Sequence, residues 1–274
     1  TLELLTKQYI EANDVPEVTF NWHGGEPLVM GLDFFRRAME LQQQYADGKT
    51  IHNTIQTNGT LLTREWAEFF RRHDFLVGIS IDGPAEIHDK YRRDRGGQPT
   101  FDKVIRGLTI LRQSGVEFNT MTTVNKASEG KGAEVYEFLK SIGSRYMQFM
   151  PVVEHIKYPL DSQDLPLKNA RPYIVGPEEQ GAELAGWSDI FDLWVRNDVG
   201  RYFVNLFDAT LAGYCGVQPG SCAYAATCGG NMVVEHNGDV YPCAGWQNYV
   251  LGNVYKQSLK DIWENNEKIK ELRK

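Results

Sequence analysis

Cysteine is nearly absent from this 274-residue chain. The first 214 positions contain none, and all four cysteines fall within the 29 positions from Cys215 to Cys243. Such clustering indicates that the sulfur serves one local purpose late in the chain.

Long apolar runs and excess positive charge are also missing. No run approaches the roughly 18 apolar residues of a membrane span, and the opening residues have helical periodicity rather than the layout of a secretion signal. The 29 Lys and Arg residues are outnumbered by 36 Asp and Glu residues, giving a net charge of −7 without a basic stripe. We therefore predict a cytoplasmic protein with no nucleic-acid or membrane partner.

Strand-like and helix-like segments alternate through the first 150 residues. This alternation predicts an α/β fold with a parallel sheet, wound either into an open doubly wound sheet or into a barrel. Because no GxGxxG or P-loop motif opens a helix, a nucleotide-binding doubly wound fold is disfavoured. The predicted strands are 17–22, 53–57, 76–81, 117–124 and 146–150, and the predicted helices are 2–12, 32–46, 63–73 with Thr63 as N-cap, 101–114 and 131–142.

The chain changes character after the fifth predicted strand. Residues 155–176 lose periodicity and contain three prolines, which predicts a loop or lid over one end of the sheet. Helices are then predicted at 177–196 and 200–212.

The last 60 residues or so differ in kind from the rest. They contain a cysteine-bearing loop, a hairpin in "VVEHNGDVY" with Asn237-Gly238 at its turn, and a helix from about residue 258. We therefore predict two domains, 1–212 and 213–274.

Three predicted strands end in polar or glycine-bearing clusters. In parallel α/β folds, ligands bind at the carboxyl ends of strands, so these clusters are predicted to form one site. Glu26 offers a carboxylate for a ligand ammonium, and the glycines before it allow close backbone approach. Taken singly, each cluster could be an ordinary turn. The clusters are His23-Gly24-Gly25-Glu26, Gln56-Thr57-Asn58-Gly59, and Ser80 with Asp82-Gly83.

The cysteines have the spacing of a metal site. Cys222-x5-Cys228-x14-Cys243 places three thiolates in a compact loop and hairpin. Spacing alone leaves zinc and an iron–sulfur cluster both open. Cys215 lies outside this triplet and is predicted to be a buried thiol, with a substitute ligand role as the alternative.

Four segments together resemble the anaerobic sulfatase-maturating enzymes, which are radical S-adenosylmethionine (SAM) enzymes with SPASM-type auxiliary clusters. These segments are "FNWHGGEPL", "IQTNGTLLT", "VGISIDGPAEIHDKYR" and "QPGSCAYAATCGGNMVVEHNGDVYPC". The resemblance covers nearly the whole chain. It implies a partial (β/α)6 TIM-like barrel followed by a small cysteine-rich hairpin extension.

The resemblance also implies roles for individual residues. Gly24, Gly25 and Glu26 match the loop that receives the SAM amino group, and Ser80 and Arg92 match further SAM contacts. An arginine suits a carboxylate through its fixed fork of donors. His23 matches a position that faces the peptide substrate, although a packed, hydrogen-bonded histidine is the alternative. Cys222, Cys228 and Cys243 match ligands of an auxiliary [4Fe–4S] cluster.

By resemblance, a reduced cluster cleaves SAM to a 5′-deoxyadenosyl radical, which oxidises a cysteine or serine of an unfolded sulfatase segment to formylglycine. A ferredoxin or flavodoxin is the implied electron donor. The family's CxxxCxxC motif for the SAM-cleaving cluster is absent from the sequence, and no cysteine follows Cys243 to serve as the family's later ligands for the auxiliary clusters. We therefore expect a fragment, cut at both ends, that does not cleave SAM by itself.

One further departure concerns the family's proposed catalytic base. Ala244 stands where the family has an aspartate, and a methyl group cannot accept a proton. A shifted residue, a slipped alignment in the shortened loop, or a different peptide substrate would each account for it. Two alternatives stay open: a radical SAM/SPASM enzyme that modifies another peptide, and a non-catalytic ligand-binding module with structural zinc.

Overall fold

A computed structural model of the chain describes residues 1–152, 187–221, 231–243 and 249–273. Within those ranges, no helix combines the length and the apolar character that crossing a bilayer requires. The lid predicted at 155–176 lies outside them, as does the first part of the helix predicted at 177–196.

Helices and strands alternate through the first half of the chain, as the sequence predicts. Two 3₁₀ turns, Pro27–Met30 and Lys126–Ser128, interrupt the connections. The regular elements are α1 (Leu2–Ala12), β1 (Glu17–Trp22), α2 (Leu32–Tyr45), β2 (Thr50–Thr57), α3 (Arg64–Arg72), β3 (Phe75–Ser80), α4 (Ala85–Tyr91), α5 (Phe101–Gln113), β4 (Phe118–Val124), α6 (Gly132–Ser141) and β5 (Tyr146–Pro151).

The elements of the second half are shorter. They are α7 (Trp187–Asn197), β6 (Phe203–Val204), α8 (Asn205–Tyr214), β7 (Val233–Val234), β8 (Asp239–Tyr241), β9 (Gly252–Asn253), α9 (Leu259–Asn265) and α10 (Glu267–Leu272). Strand β7 pairs antiparallel with β8, and Gly238 between them has a φ of +88°. The predicted hairpin is therefore confirmed.

Helix α3 shows how local sequence sets the helices. Thr63 precedes it, and the Thr63 hydroxyl accepts a hydrogen bond from the backbone N–H of Trp66 at 3.4 Å, as an N-cap should. The apolar face of α3 is buried, and the Phe70 ring lies 5.1 Å from the ring of Phe75 at the start of β3. Burying a side chain such as Phe70 contributes about 2–3 kcal/mol. The amphipathic pattern thereby fastens α3 to the sheet.

Six strands form one sheet in the order β1-β2-β3-β4-β5-β6. The pairs β3–β4, β4–β5 and β5–β6 are parallel, with Gly78 opposite Asn119 and Ser80 opposite Met121. Spatial order follows chain order, as successive right-handed βα crossovers produce. The predicted α/β fold with a parallel sheet is confirmed.

The two faces of the sheet differ in chemistry. In β3, Val77 and Ile79 are fully buried, whereas Gly78 and Ser80 lie on the opposite face because side chains alternate along a strand. The apolar face packs against helices. The other face and the carboxyl edge of the sheet are therefore left for polar groups.

The helix predicted at 200–212 is wrong over its first residues, where β6 forms instead. The Phe203 ring stacks on Tyr146 at a centroid distance of 4.8 Å, and Val204 is fully buried. The backbone N–H of Phe203 donates to Arg145 O at 2.8 Å. Pairing with distant β5 therefore overrides the local helical pattern. The short helix α4 was not predicted.

The chain divides into two units: Thr1–Trp22, Pro27–Thr54 and Asp208–Lys274 in the first, His23–Glu26 and Ile55–Phe207 in the second. In the first unit, α1 packs on the C-terminal residues. The side chain of Gln8 donates to Val254 O at 3.1 Å and accepts from Leu259 N at 3.1 Å. The division into domains 1–212 and 213–274 stays a prediction.

Candidate functional site

The glycine pair after β1 adopts backbone conformations that favour glycine. Gly24 and Gly25 have φ values of +93° and +49°, and a Cβ at either position would have no heavy atom within 4 Å. The positive φ values therefore favour glycine at these positions, whereas steric crowding does not. Both residues are exposed, so their backbone is open to a ligand. His23 is also exposed, and its Nδ1 accepts from Gly24 N at 2.7 Å.

The carboxylate of Glu26 is fixed to the carboxyl end of β2. The Thr57 hydroxyl donates to Oε1 at 2.7 Å, and the backbone N–H of Asn58 donates to Oε2 at 2.7 Å. Hydrogen bonds to an ionised acceptor are among the stronger ones in proteins. They orient a negative charge at the sheet edge, where a carboxylate can interact with a cation.

A second polar group bridges β2 and β3. The side-chain amide of Gln56 donates to Ser80 Oγ at 3.0 Å. Because Ser80 Oγ accepts this bond, its own proton is directed elsewhere and can be donated to a ligand. Gly78 makes the arrangement possible, since a Cβ there would collide with Gln56 Oε1 and lie 2.9 Å from Asn119 Oδ1.

Arg92 is held between the ends of β3 and β4. Its Nε donates to the buried carboxylate of Asp82 at 2.7 Å, and its Nη2 donates to the Thr123 hydroxyl at 2.9 Å. The other oxygen of Asp82 accepts from Thr123 N at 2.8 Å. The guanidinium is partly exposed, and Nη1 makes no hydrogen bond among the described residues. This nitrogen is available to an anionic ligand.

The structure brings five predicted residues to the same edge of the sheet. Glu26 is tied to the end of β2, Ser80 ends β3, and Arg92 reaches the end of β4. An anchored carboxylate, an oriented hydroxyl and an anchored guanidinium can bind the ammonium and carboxylate groups of an amino acid. The remaining two residues are Gly24 and Gly25.

Thr123 is a residue that sequence reasoning missed. It lies one residue before the end of β4, so the strand-end rule that singled out Thr57 and Ser80 would have found it if applied to β4. His88 and Thr100 were also missed. Their contacts depend on folding of the connection after β3, and no periodicity in the sequence marks them.

The predicted metal ligands are described only in part. Cys222 and Cys228 lie outside the described residues, as does Ala244, while Cys243 follows β8 and is partly buried. In the ranges that are described, no three His, Cys, Asp or Glu side chains group as a metal site would require. The prediction of a buried thiol at Cys215 is wrong. Cys215 is exposed because it follows the last turn of α8, whose Tyr214 also faces outward.

Two family models match the chain. The radical SAM superfamily model matches residues 1–139, and the SPASM model, an iron–sulfur cluster-binding domain, matches residues 226–274. The first match contains the glycine pair, Glu26, Ser80 and Arg92. The second contains Cys228 and Cys243.

Individual relatives point the same way. The chain is 46% identical over 269 residues to a serine-type anaerobic sulfatase-maturating enzyme of Bacteroides thetaiotaomicron, covering 95% of this chain and 64% of the relative. It is 33% identical over 274 residues to a cysteine-type anaerobic sulfatase-maturating enzyme of Clostridium perfringens, covering 97% of this chain and 70% of the relative. The chain thus spans 64% of the length of the first of these proteins.

A solved structure has the same fold. Native anSMEcpe with bound AdoMet and Cp18Cys peptide superposes with a TM-score of 0.84 at 31% identity, covering 99% of this chain and 73% of that chain. The resemblance predicted from four sequence segments is confirmed, and so is the fold class.

Proposed function

This chain belongs to the radical SAM superfamily and to its anaerobic sulfatase-maturating enzymes, and from that premise we propose that it is the larger part of a peptide-modifying oxidoreductase. The reaction is oxidation of a cysteine or serine in an unfolded sulfatase segment to formylglycine. Serine-type and cysteine-type enzymes are both among its relatives. The cofactors of the family are SAM and [4Fe–4S] clusters.

The anchored carboxylate of Glu26 is the observation that carries the SAM site. Two hydrogen bonds orient it beside two exposed, positive-φ glycines, so an ammonium can meet the carboxylate and the Gly24 and Gly25 carbonyls together. The Ser80 hydroxyl donates a hydrogen bond to the ligand, and Arg92 binds the ligand carboxylate through Nη1. These groups fit the amino-acid moiety of SAM.

The auxiliary cluster is assigned to Cys222, Cys228 and Cys243. When bound, SAM and a reduced cluster supply a carbon radical that removes hydrogen from the peptide. The chain's own part is to hold SAM at the sheet edge and to exclude water from it. His23, which is exposed beside the glycine pair, is proposed to contact the peptide.

The remaining partners follow from the same chemistry. We assign a ferredoxin or flavodoxin as electron donor and a cytoplasmic location, with no nucleic-acid or membrane partner. The net charge of −7 supports the exclusion of nucleic acid.

Assay of the full-length protein tests the proposal. The protein is reconstituted anaerobically with iron and sulfide, then incubated with SAM, a reductant, and a sulfatase peptide bearing cysteine or serine at the target position. We expect 5′-deoxyadenosine and a peptide aldehyde that hydrazine traps, both detected by mass spectrometry. A peptide with alanine at the target position is the control. A protein that holds only zinc and has no affinity for SAM would contradict the proposal.

Ala244 favours a second candidate, in which the enzyme acts on a different peptide. Without an aspartate after Cys243, the proton acceptor assumed for sulfatase maturation is missing from that position. The same assay separates the two candidates. Formation of 5′-deoxyadenosine with neither sulfatase peptide modified would support the second one.

A further inference from the structure

His88 is fully buried in α4, between the end of β3 and the start of α5. Its Nδ1 accepts a hydrogen bond from the backbone N–H of Asp82 at 3.3 Å, and its Nε2 lies 3.1 Å from the Thr100 hydroxyl. The edge of the ring packs against Phe101 at a centroid distance of 5.9 Å. Both ring nitrogens are therefore used, each toward a different element.

The partners define one arrangement of protons. Because Nδ1 accepts from Asp82 N–H, the ring proton must be on Nε2, which donates to Thr100 Oγ1. The Thr100 hydroxyl in turn donates to the backbone carbonyl of Arg92 at 2.7 Å. A directed chain of hydrogen bonds thus leads from His88 through Thr100 to Arg92.

Arg92 is reached from His88 at two places. The Thr100 hydroxyl donates to the backbone carbonyl of Arg92. The Arg92 guanidinium donates to the carboxylate of Asp82 at 2.7 Å, and the backbone N–H of Asp82 is bonded to His88. Arg92 lies one residue past the end of α4, where its φ and ψ of −89° and 86° have left the helical region. No helical hydrogen bond secures the carbonyl in that conformation, so the Thr100 contact has a defined task.

We propose that His88 and Thr100 are positioning residues for Arg92, and that they set the direction of its guanidinium toward the carboxylate of the bound sulfonium ligand. The inference rests on the proposed function, because it takes Arg92 to be a SAM contact. It adds two buried residues that do not touch the ligand.

The charge state of His88 agrees with this role. Burial lowers the pKa of His88 to about 4, with the charges of Asp82 and Asp89 raising it and that of Arg92 lowering it. The ring is therefore neutral at physiological pH and can accept from Asp82. A protonated ring would turn Nδ1–H toward Asp82 N–H, two donors facing each other.

Substitutions by residues of nearly equal shape test the hydrogen bonds that lead from His88 through Thr100 to Arg92. Thr100→Val removes the hydroxyl and keeps the volume, while Thr100→Ser keeps the hydroxyl. His88→Phe removes both ring nitrogens and keeps the packing. Thr120→Val is the matched control, since Thr120 is also buried and its hydroxyl bonds only to Ser144, at 2.8 Å, among the described residues.

The measurement is calorimetric affinity of the cluster-loaded, full-length protein for two ligands, SAM and its decarboxylated analogue. We expect Thr100→Val and His88→Phe to weaken SAM binding about three- to tenfold, the effect of one misplaced hydrogen-bonding group. Binding of the decarboxylated analogue should change less than twofold, because it has no carboxylate for Arg92. Thr100→Ser should restore SAM affinity, and the double variant should bind no more weakly than the weaker single one.

Three results would overturn the proposal. Equal loss for both ligands would make His88 and Thr100 merely structural. If Thr100→Val and His88→Phe bind SAM normally while Arg92→Lys binds it more weakly, the positioning role is refuted but the assignment of Arg92 to the SAM site is supported. Wild-type protein that does not bind SAM would refute the proposed function itself, and this inference with it. If His88→Phe does not fold, the Thr100 pair decides the matter.

Discussion

Gly78 leaves the space that the side-chain amide of Gln56 fills. A Cβ at Gly78 would collide with Gln56 Oε1, and the amide could then no longer donate to Ser80 Oγ at 3.0 Å. The missing side chain in β3 is therefore what allows β2 to orient a hydroxyl at the sheet edge.

Gly78→Ala should damage the SAM site. Alanine suits a strand better than glycine does, but overpacking against Gln56 and Asn119 costs about 1–3 kcal/mol. We expect lower stability in urea denaturation and several-fold weaker SAM binding in calorimetry. Combining the change with Gln56→Ala, which removes the closer of the two clashes, should restore part of the lost stability but not the affinity. If Gly78→Ala alone left both quantities unaltered, the orienting role of Gln56 would be refuted.

Glu26→Gln should weaken SAM binding by about ten- to a hundredfold, the loss of a hydrogen-bonded charge. The substitution removes the charge and also turns an amide toward Thr57 or Asn58, each of which donates to the carboxylate. Equilibrium dialysis with the full-length protein measures the effect. Glu40→Gln, at an exposed ion pair with Arg37, is the matched control and should bind SAM normally. Equal affinity in the two variants would count against the site.

Stability should depend on pH through His88. Unfolded chains bind a proton near pH 6.5, whereas the buried ring has a pKa of about 4, so the unfolded state binds more protons between these values. Stability must then fall as pH is lowered from 6.5 toward 4, by up to about 1.4 kcal/mol per pH unit from this group. Urea denaturation across that range measures the slope.

His88→Phe is the comparison that isolates this contribution. Other groups titrate in the same range, but they are shared by the two proteins. The variant should therefore be less stable at pH 7 and show the shallower slope below pH 6.5. Parallel curves for the two proteins would mean that burial does not lower the pKa of His88.

Asp198 should be essential to the packing of α6. Asp198 is only 3% exposed, and its carboxylate accepts hydrogen bonds from Lys140 Nζ at 2.8 Å and from the Tyr136 hydroxyl at 3.0 Å. Asp198→Ala removes one partner of a largely buried ion pair, which costs about 3–5 kcal/mol. Urea denaturation should show this loss. Lys140→Met together with Asp198→Ala should cost less than the sum of the single changes, and strict additivity would contradict the coupling.

Cys243→Ala should lower the iron content of the reconstituted full-length protein, because Cys243 is assigned to the auxiliary cluster. Cys215→Ala is the matched control. Cys215 is exposed at the end of α8 and lies outside the triplet, so its loss should leave iron and sulfide unaltered. Iron analysis and the visible absorption of the cluster measure both variants. Normal iron content in Cys243→Ala would remove it from the ligand set.

The carboxyl-edge site could be predicted from the sequence because a parallel sheet brings strand ends together. Glu26 follows β1 and Ser80 ends β3, so the strand-end rule was enough to single them out. Arg92 was assigned only through the resemblance to the family. The contacts that anchor them were harder to foresee. Thr123 reaches Arg92 across 31 positions of sequence, and its backbone reaches Asp82 across 41.

Short elements escaped prediction for a related reason. Strand β6 has two residues, and its pairing with β5 depends on Tyr146 and Phe203, which are far apart in the chain. Local propensity has no access to such a partner. The prediction that Cys215 is buried was wrong for a similar reason, because the residue type alone does not show whether a cysteine has apolar neighbours.

Helix α1 shares a hydrophobic core with α9 and α10, and this has a consequence for biosynthesis. Leu4 and Leu5 pack against a cluster that includes Leu259 and Ile262, and Gln8 bonds to a carbonyl 246 positions later. A ribosome therefore releases the first helix long before its apolar partners exist. Until they emerge, the apolar face of α1 is exposed and can aggregate with other nascent chains unless a chaperone binds it. Closing so long a loop should make this docking a late and slow event in folding.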